Sequence, residues 1–415
     1  MKILFLNIVI LSVALGAPST TETNRIDREP SSNFGTTDFN QTNFQVHRDN
    51  LNLPLAEACD PTKCTPPKCR CSQTFLSKEL PPEKIPQLVA ITYDDAVTAL
   101  NYEYIQSAIR KLKNPDGCKA LATFFVSHEY TDYTKVHKLW EQGHEIALHS
   151  ISHKPMTTYW NTADVELLKE EFGGQRDMMA HFAQIKKEDI KGIRTPLFEI
   201  SANTTYFALK EMGLTYDSSW PTQHFTHPGM WPYTLDYQST QDCPLARCPT
   251  ASIPGVWVSP LLDWTDVVGN KCAMLDACGN LPEDDVDELF KWMMENFEQN
   301  YKNNRAPFPI YLHASFFLKG DNYLPAYKKF LEHLNTLPDV YFVTVSQIID
   351  YVKAPTPDKP SKTCVQREKS NCKPRFCQLK KTETQEERWM KTCVACPSVY
   401  PWVGNPFGKP VKKRN

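Results

Sequence analysis

The chain has 415 residues, 41% of them hydrophobic, which is enough to build a sizeable core and too many for a wholly disordered polypeptide. Its formal net charge of −2 excludes a nucleic-acid binder that relies on broad basic attraction. The late basic residues Lys409, Lys412, Lys413 and Arg414 amount to a short solvated tail.

In chain order, Met1-Lys2 opens a charged segment, Ile3 to Leu15 is an almost unbroken apolar run, and Ala14-Leu15-Gly16 is a small-x-small cleavage pattern. Residues 1–16 therefore read as a secretory signal peptide, too short to span a bilayer, and nothing later offers a run of ~20 apolar residues. A secreted, extracellular protein with no membrane span is expected. Residues 17–56 are polar and lack periodicity, as in a flexible leader. Fourteen cysteines follow, an even number that in a secreted chain reads as disulfides. A zinc knuckle among Cys59, Cys64, Cys69 and Cys71, or at Cys393 and Cys396, is the rival reading; irregular spacing and an oxidising compartment disfavour it. The sequence leaves the pairing open. Residues 57–84 form a Cys/Pro-rich segment that ends in "LPPEKIP". Asn40 and Asn203 are glycosylation candidates.

From 85 to 353 short strand-like runs alternate with amphipathic ones. Strands are expected at Leu88–Tyr93, Leu121–Val126, Glu145–Leu148, Ile190–Ile193, Thr215–Tyr216, Ile310–Leu312 and Tyr341–Val345. Helical runs are expected at Asn101–Lys113, Thr162–His181, Thr204–Met212, Glu283–Tyr301 and Tyr323–Asn335. This alternation predicts an α/β fold with a mainly parallel sheet, open or closed into a barrel. A stretch at about 220–280 breaks the rhythm with four cysteines and several tryptophans, and reads as a disulfide-pinned insertion. Trp257 and Trp264 in it suit either sugar stacking or the core of the insertion. Residues 354–415 form a Cys-rich C-terminal extension, and there are no internal repeats.

Chemistry collects just past the strands. Leu88–Tyr93 is followed by Asp94-Asp95, Glu145–Leu148 by "HSISH", Ile190–Ile193 by "RTPLF", Thr215–Tyr216 by "DSSWP" and Ile310–Leu312 by "HASFF". In a parallel α/β sheet or barrel the carboxyl ends of the strands share one face, where active sites are assembled. His149 and His153 lie four apart; on a helix-like turn both imidazoles could grip one ion, and the plain alternative is two surface histidines. An acid from another strand end would complete a two-histidine, one-carboxylate set with open positions for water and substrate.

The ordered set "TYDDA", "HSISH", "RTPLF", "YDSSWP" and "YLHAS" resembles the five motifs of the carbohydrate esterase family 4 polysaccharide deacetylases. More narrowly, with "CDPTKCTPPKCRC" before them and "TCVACPSVYPWVGNPFG" after, the chain is similar to the arthropod (insect-type) chitin deacetylases over roughly residues 57–408. The resemblance implies a distorted (β/α) barrel of the polysaccharide deacetylase (NodB homology) type, with the insertion and the extension added. It implies Asp95, His149 and His153 as metal ligands, with zinc as the metal and another divalent ion such as cobalt as the alternative. Asp94 would be the general base, paired with Arg194. His313 would be the general acid, oriented by Asp217. The Leu197 backbone N–H would bind the oxyanion, and Trp220 with neighbouring aromatics would wall the acetyl pocket. The implied reaction is hydrolysis of N-acetyl groups in chitin or chito-oligomers to chitosan and acetate, with a gut or peritrophic-matrix setting.

The residue types suit that chemistry. A metal lowers the pKa of its water, a neighbouring Arg favours the ionised base, a backbone N–H stabilises an oxyanion, and a carboxylate-backed histidine protonates the departing amine. Two positions depart from the family pattern: Tyr93 stands for a Phe, so its hydroxyl needs a partner, and Leu197 stands for an aromatic. No cysteine precedes Cys59, so separate chitin-binding and calcium-receptor-like modules are expected to be absent, leaving the cleft itself to hold chitin. Two rivals remain: a non-catalytic chitin-binding structural protein of an extracellular matrix, and a deacetylase of another acetylated polysaccharide.

Overall fold

Leu88, Val89, Ala90 and Ile91 are consecutive apolar residues without alternation, the pattern of a strand covered on both faces, and all four are buried in β1 (Gln87–Asp94). The structure, a computed structural model, describes residues 51–369 and 371–410. The expected signal peptide, most of the leader and Asn40 lie outside the described residues.

Eight further strands complete the main sheet: β2 (Thr123–Val126), β3 (Glu145–Leu148), β4 (Gly192–Ile193), β5 (Tyr216–Asp217), β6 (Tyr233–Thr234), β7 (Trp257–Val258), β8 (Phe308–His313) and β9 (Val340–Phe342). Their order is β8-β1-β2-β3-β4-β5-β7-β6, with β9 paired to the first half of β1. Every pairing is parallel except β6 with β7. The register brings the carboxyl ends level: Asp94 lies opposite His313 and Phe125, Val126 opposite Leu148, Leu148 opposite Ile193, and Ile193 opposite Asp217. Side chains projecting just beyond those residues therefore share one rim.

The result is the expected distorted (β/α) barrel. Among the described residues no ladder joins β8 to β6. The insertion bridges that side instead: Trp264 Nε1 donates to the Pro309 carbonyl at 2.8 Å, and Tyr311 OH donates to the Pro260 carbonyl at 3.3 Å. Trp257 and Trp264 are both buried, so of their two readings the core of the insertion holds.

The helices are α1 (Ala99–Ile109), α2 (Tyr133–Glu141), α3 (Thr157–Asn161), α4 (Val165–Leu168), α5 (Gly174–Phe182), α6 (Asn203–Glu211), α7 (Val286–Tyr301), α8 (Tyr323–Leu334) and α9 (Val345–Lys353). The single helix expected over 162–181 is broken by a π-turn, Lys169–Gly173, between α4 and α5. Within that turn Glu171 is fully buried, where it serves the site described below. Val345, expected to end a strand, instead opens α9, because Thr344 and Gln347 form a capping box there.

All fourteen cysteines pair, which settles the disulfide reading against a zinc knuckle. Cys118–Cys364 spans 246 residues and ties the C-terminal extension to the barrel. The extension contains a hairpin, β10 (Arg375–Lys380) with β11 (Glu387–Thr392), which Cys372–Cys393 and Cys377–Cys396 anchor.

Candidate active site

At the end of β1 the two neighbouring acids part company. Asp94 is the last residue of the strand and its side chain is buried, at 1% exposure, whereas the Asp95 side chain is 44% exposed. A left-handed φ of 79° at Asp95 turns the chain out of the strand and separates the two carboxylates. Non-glycine residues rarely adopt that conformation, and the rim holds more of them: Ser150, His153, Leu197 and Phe198 also have positive φ.

Arg194 is fully buried and its guanidinium is spent on one cluster. Nη1 donates to Asp94 Oδ1 at 2.5 Å and to Thr92 Oγ1 at 2.9 Å. Nε donates to the Ser218 carbonyl at 2.7 Å and Nη2 to Ser218 Oγ at 3.0 Å. The guanidinium plane lies over the Phe125 ring, 3.9 Å from its centroid. This planar fork fixes the orientation of Asp94 as a lysine could not. The Arg194 carbonyl also accepts from His149 Nδ1 at 2.8 Å, so one residue orients both the base candidate and a ligand candidate.

With Nδ1 donating, His149 turns Nε2 towards His153 and Asp95. His153 Nε2 lies 3.2 Å from His149 Nε2 and 3.3 Å from Asp95 Oδ1. The donor atoms of Asp95, His149 and His153 all fall within 4.8 Å of one another. Burial, then the neighbouring His153, lowers the His149 pKa to about 3, and the neutral imidazole that results is the form a metal needs. Two ring nitrogens and one carboxylate oxygen converging in this way fit a divalent ion with open coordination positions.

The "HSISH" segment is not helical, contrary to the simplest reason for its spacing. It is a loop shaped by Glu171, whose Oε2 accepts from the backbone N–H of Ile151 and of Ser152, each at 2.9 Å. Glu171 Oε1 accepts from Ser152 Oγ and from Tyr159 OH. Gln175 Nε2 donates to the Ser150 carbonyl at 2.7 Å, and the His153 N–H donates to Ser150 Oγ at 3.1 Å. Buried polar partners thus place the two imidazoles where a helical turn was the expected device.

His313 stands across the rim, its Nε2 3.8 Å from Asp95 Oδ2. Its partner corrects the expectation. Asp276 Oδ2 accepts from His313 Nδ1 at 2.8 Å and Asp276 Oδ1 accepts from the His313 N–H at 3.1 Å. Asp217 does not orient His313. It is fully buried, accepting from the Ser219 N–H and from Tyr206 OH, each at 3.1 Å, and from Ser219 Oγ. Ser219 Oγ in turn accepts from the Thr195 N–H at 2.7 Å, so Asp217 braces the "RTPLF" turn from beneath. Burial works to lower the His313 pKa, but the hydrogen bond and charge of Asp276, then the charges of Asp94 and Asp95, raise it to about 9. Burial raises Asp217 to about 6 against its hydrogen bonds.

Leu197 sits on that turn at φ 59° with its side chain exposed. Trp220, expected to wall an acetyl pocket, is 2% exposed, packed near Tyr206 and Tyr233, with Nε1 donating to the Asp242 carbonyl at 2.7 Å. It supports the site as core and presents no open face. The Tyr93 hydroxyl has the partner it needs, the Tyr327 hydroxyl at 3.0 Å. Asn203 opens α6, and its Oδ1 accepts from the N–H groups of Thr250 and Ala251.

Residues 82–223 match the family model described as polysaccharide deacetylase. Chitin deacetylase 8 of Bombyx mori is 42% identical over 361 residues, covering 86% of this chain and 95% of that protein. Chitin deacetylase 1 of Bombyx mori is 34% identical over 375 residues, covering 85% of this chain and 69% of that protein. Among solved structures, a family 4 carbohydrate esterase from Streptomyces lividans aligns with a TM-score of 0.35 and 14% identity, over 63% of this chain and 94% of that one.

Proposed function

The chain belongs to the polysaccharide deacetylases, within their chitin deacetylase branch, and is a deacetylase hydrolase; from that premise we propose that it hydrolyses the N-acetyl groups of N-acetylglucosamine units in chitin or chito-oligomers, releasing acetate and leaving chitosan. The observation that carries this reading is the convergence of three groups on one rim: the Asp95, His149 and His153 donors, the Asp94–Arg194 pair, and the His313–Asp276 pair.

A divalent ion held by Asp95, His149 and His153, zinc by the nature of the donors, would acidify water and polarise the acetamide carbonyl. Asp94, oriented by Arg194, is the base that takes the proton of the attacking water. The Leu197 N–H, on its left-handed turn, is the donor assigned to the oxygen that gains charge. His313, proton-loaded through Asp276, gives its Nε2 proton to the departing amine as the carbon–nitrogen bond breaks. Water is thereby divided, hydroxyl to the acetyl carbon and proton to the amine.

Seven disulfides support an oxidising, extracellular setting. Among the described residues no helix is long and apolar enough to cross a membrane. The test is acetate release from N-acetylglucosamine oligomers by the purified chain, abolished by a chelator and restored by zinc. A metal-loaded protein that binds chitin and releases no acetate would turn the reading into that of a binding protein; release only from other acetylated polysaccharides would change the substrate.

A further inference from the structure

The hairpin of β10 and β11 has two unlike faces. Cys377, Leu379, Met390 and Thr392 point inward and are buried. The outward face carries Phe376, Gln378 and Lys380 on one strand and Glu387, Trp389 and Lys391 on the other, all exposed. A two-stranded sheet facing water has no packing reason to place a Phe and a Trp there. Yet Phe376 is 62% and Trp389 49% exposed, and their rings stack diagonally across the strands with centroids 5.2 Å apart and planes 22° apart. Beside them runs an open groove of about 650 Å³ lined by Gln378, Lys380, Glu387 and Ser398.

The hairpin is also tied to the reactive rim. Arg388 pairs with Glu129 at 2.5 Å and Lys391 with Asp132 at 3.6 Å. Both acids lie in the loop that leaves the carboxyl end of β2, between the strand bearing Asp94 and the strand leading to His149. Tyr130, 68% exposed, projects from the same loop. A chain lying across the rim therefore has an exposed aromatic path outwards to the hairpin.

We propose that the Phe376–Trp389 face is a second binding site for the polymer, an anchoring platform for an uncharged β-linked acetamido-sugar chain outside the catalytic cleft; this rests on the chitin deacetylase reading above. Flat pyranose faces are apolar and suit ring surfaces, while the amide of Gln378 and the carboxylate of Glu387, joined at 3.2 Å, offer partners to hydroxyl and acetamide groups. The face has no basic stripe for an acidic polymer: Lys391 is paired with Asp132, and Glu387 lies across from Lys380. Six side chains fall well short of the roughly 20–30 residues a side that a stable protein interface engages, which argues against a second copy. Two disulfides hold the platform rigid before binding, so little ordering cost remains.

The experiment uses the full chain and swollen chitin beads. Binding isotherms are measured for the wild type, for F376A and W389A singly and together, and for W389Y; acetate release from the N-acetylglucosamine tetramer is measured on the same preparations. The double variant is expected to bind beads about tenfold more weakly, W389Y to stay near wild type, and tetramer turnover to be unchanged throughout. The single variants keep the comparison valid if the double variant folds poorly. An isotherm for these variants equal to wild type overturns the proposal. So does a wild-type dimer that the substitutions convert to monomer with bead binding intact, because the face then belongs to a second copy. A wild type that leaves the tetramer untouched removes the deacetylase reading, and the isotherms still decide whether the platform holds chitin.

Discussion

Asp276 grips His313 twice, once at the imidazole Nδ1 and once at the backbone N–H, across 37 residues of sequence. Asp276 itself lies between Cys272 and Cys278, whose disulfide closes a tight loop around it. The carboxylate is thereby held in place before any substrate arrives, which is what an orienting partner for a general acid requires.

This relationship predicts a specific pH effect. His313 is raised to about 9 mainly by Asp276 once burial is outweighed, so the acid stays protonated up to that pH and activity falls as pH rises through it. A cation on Asp95 cancels only the smallest of the raising contributions. Asp276→Asn should cut kcat by about 10² and move the alkaline limb of the pH–rate profile to lower pH. A profile with its alkaline limb unmoved would show that another group holds His313.

Asp217 should behave differently. A buried carboxyl raised from 3.8 to about 6 binds its proton more tightly folded than unfolded. Folding stability from this group is therefore largest below about 4 and declines as pH rises towards 6, then stays level. Asp217→Asn should flatten that part of the stability–pH curve, measured by chemical denaturation, and leave the alkaline limb of activity where it was. Asp217→Ala leaves the Ser219 and Tyr206 donors unpaired and should cost about 3 kcal/mol.

Glu171 touches no donor atom of the metal cluster, yet it shapes the loop that carries His149 and His153. Replacing it with Ala should weaken zinc affinity by about 10–100-fold, read by competition with a chelator. Unchanged affinity would mean that the π-turn serves packing alone.

Much of this was legible because strand ends and motif residues are local signals. β3 has the bounds its apolar run predicts, and β1 and β8 run one or two residues beyond theirs. The five rim motifs do meet, because parallel register levels the strand ends. What escaped is long-range. Asp276 sits in an insertion whose path no periodicity reveals; the nearest available signal was an acid bracketed by two cysteines. Glu171 looked like one more charge on an amphipathic helix, and only the π-turn turns it inward. Ser218 and Ser219 of "DSSWP" hold Arg194 and Thr195, a role that polar residue types alone do not announce. Trp220 shows the converse error, since a motif tryptophan invites a binding role that 2% exposure does not support. The helix α2 could have been found, for Val136, Leu139 and Trp140 are buried at helical spacing.

The central claim is that Asp94 and Asp95 do different work in a metal-dependent deacetylase. Zinc content and acetate release from an N-acetylglucosamine oligomer, measured together on Asp94→Asn and Asp95→Ala, test it most directly. The account predicts that Asp95→Ala loses zinc and activity together. It predicts that Asp94→Asn keeps one zinc per chain and loses acetate release by about 10²–10⁴. A zinc-loaded Asp94→Asn protein with wild-type turnover, or an Asp95→Ala protein that retains zinc, would contradict it.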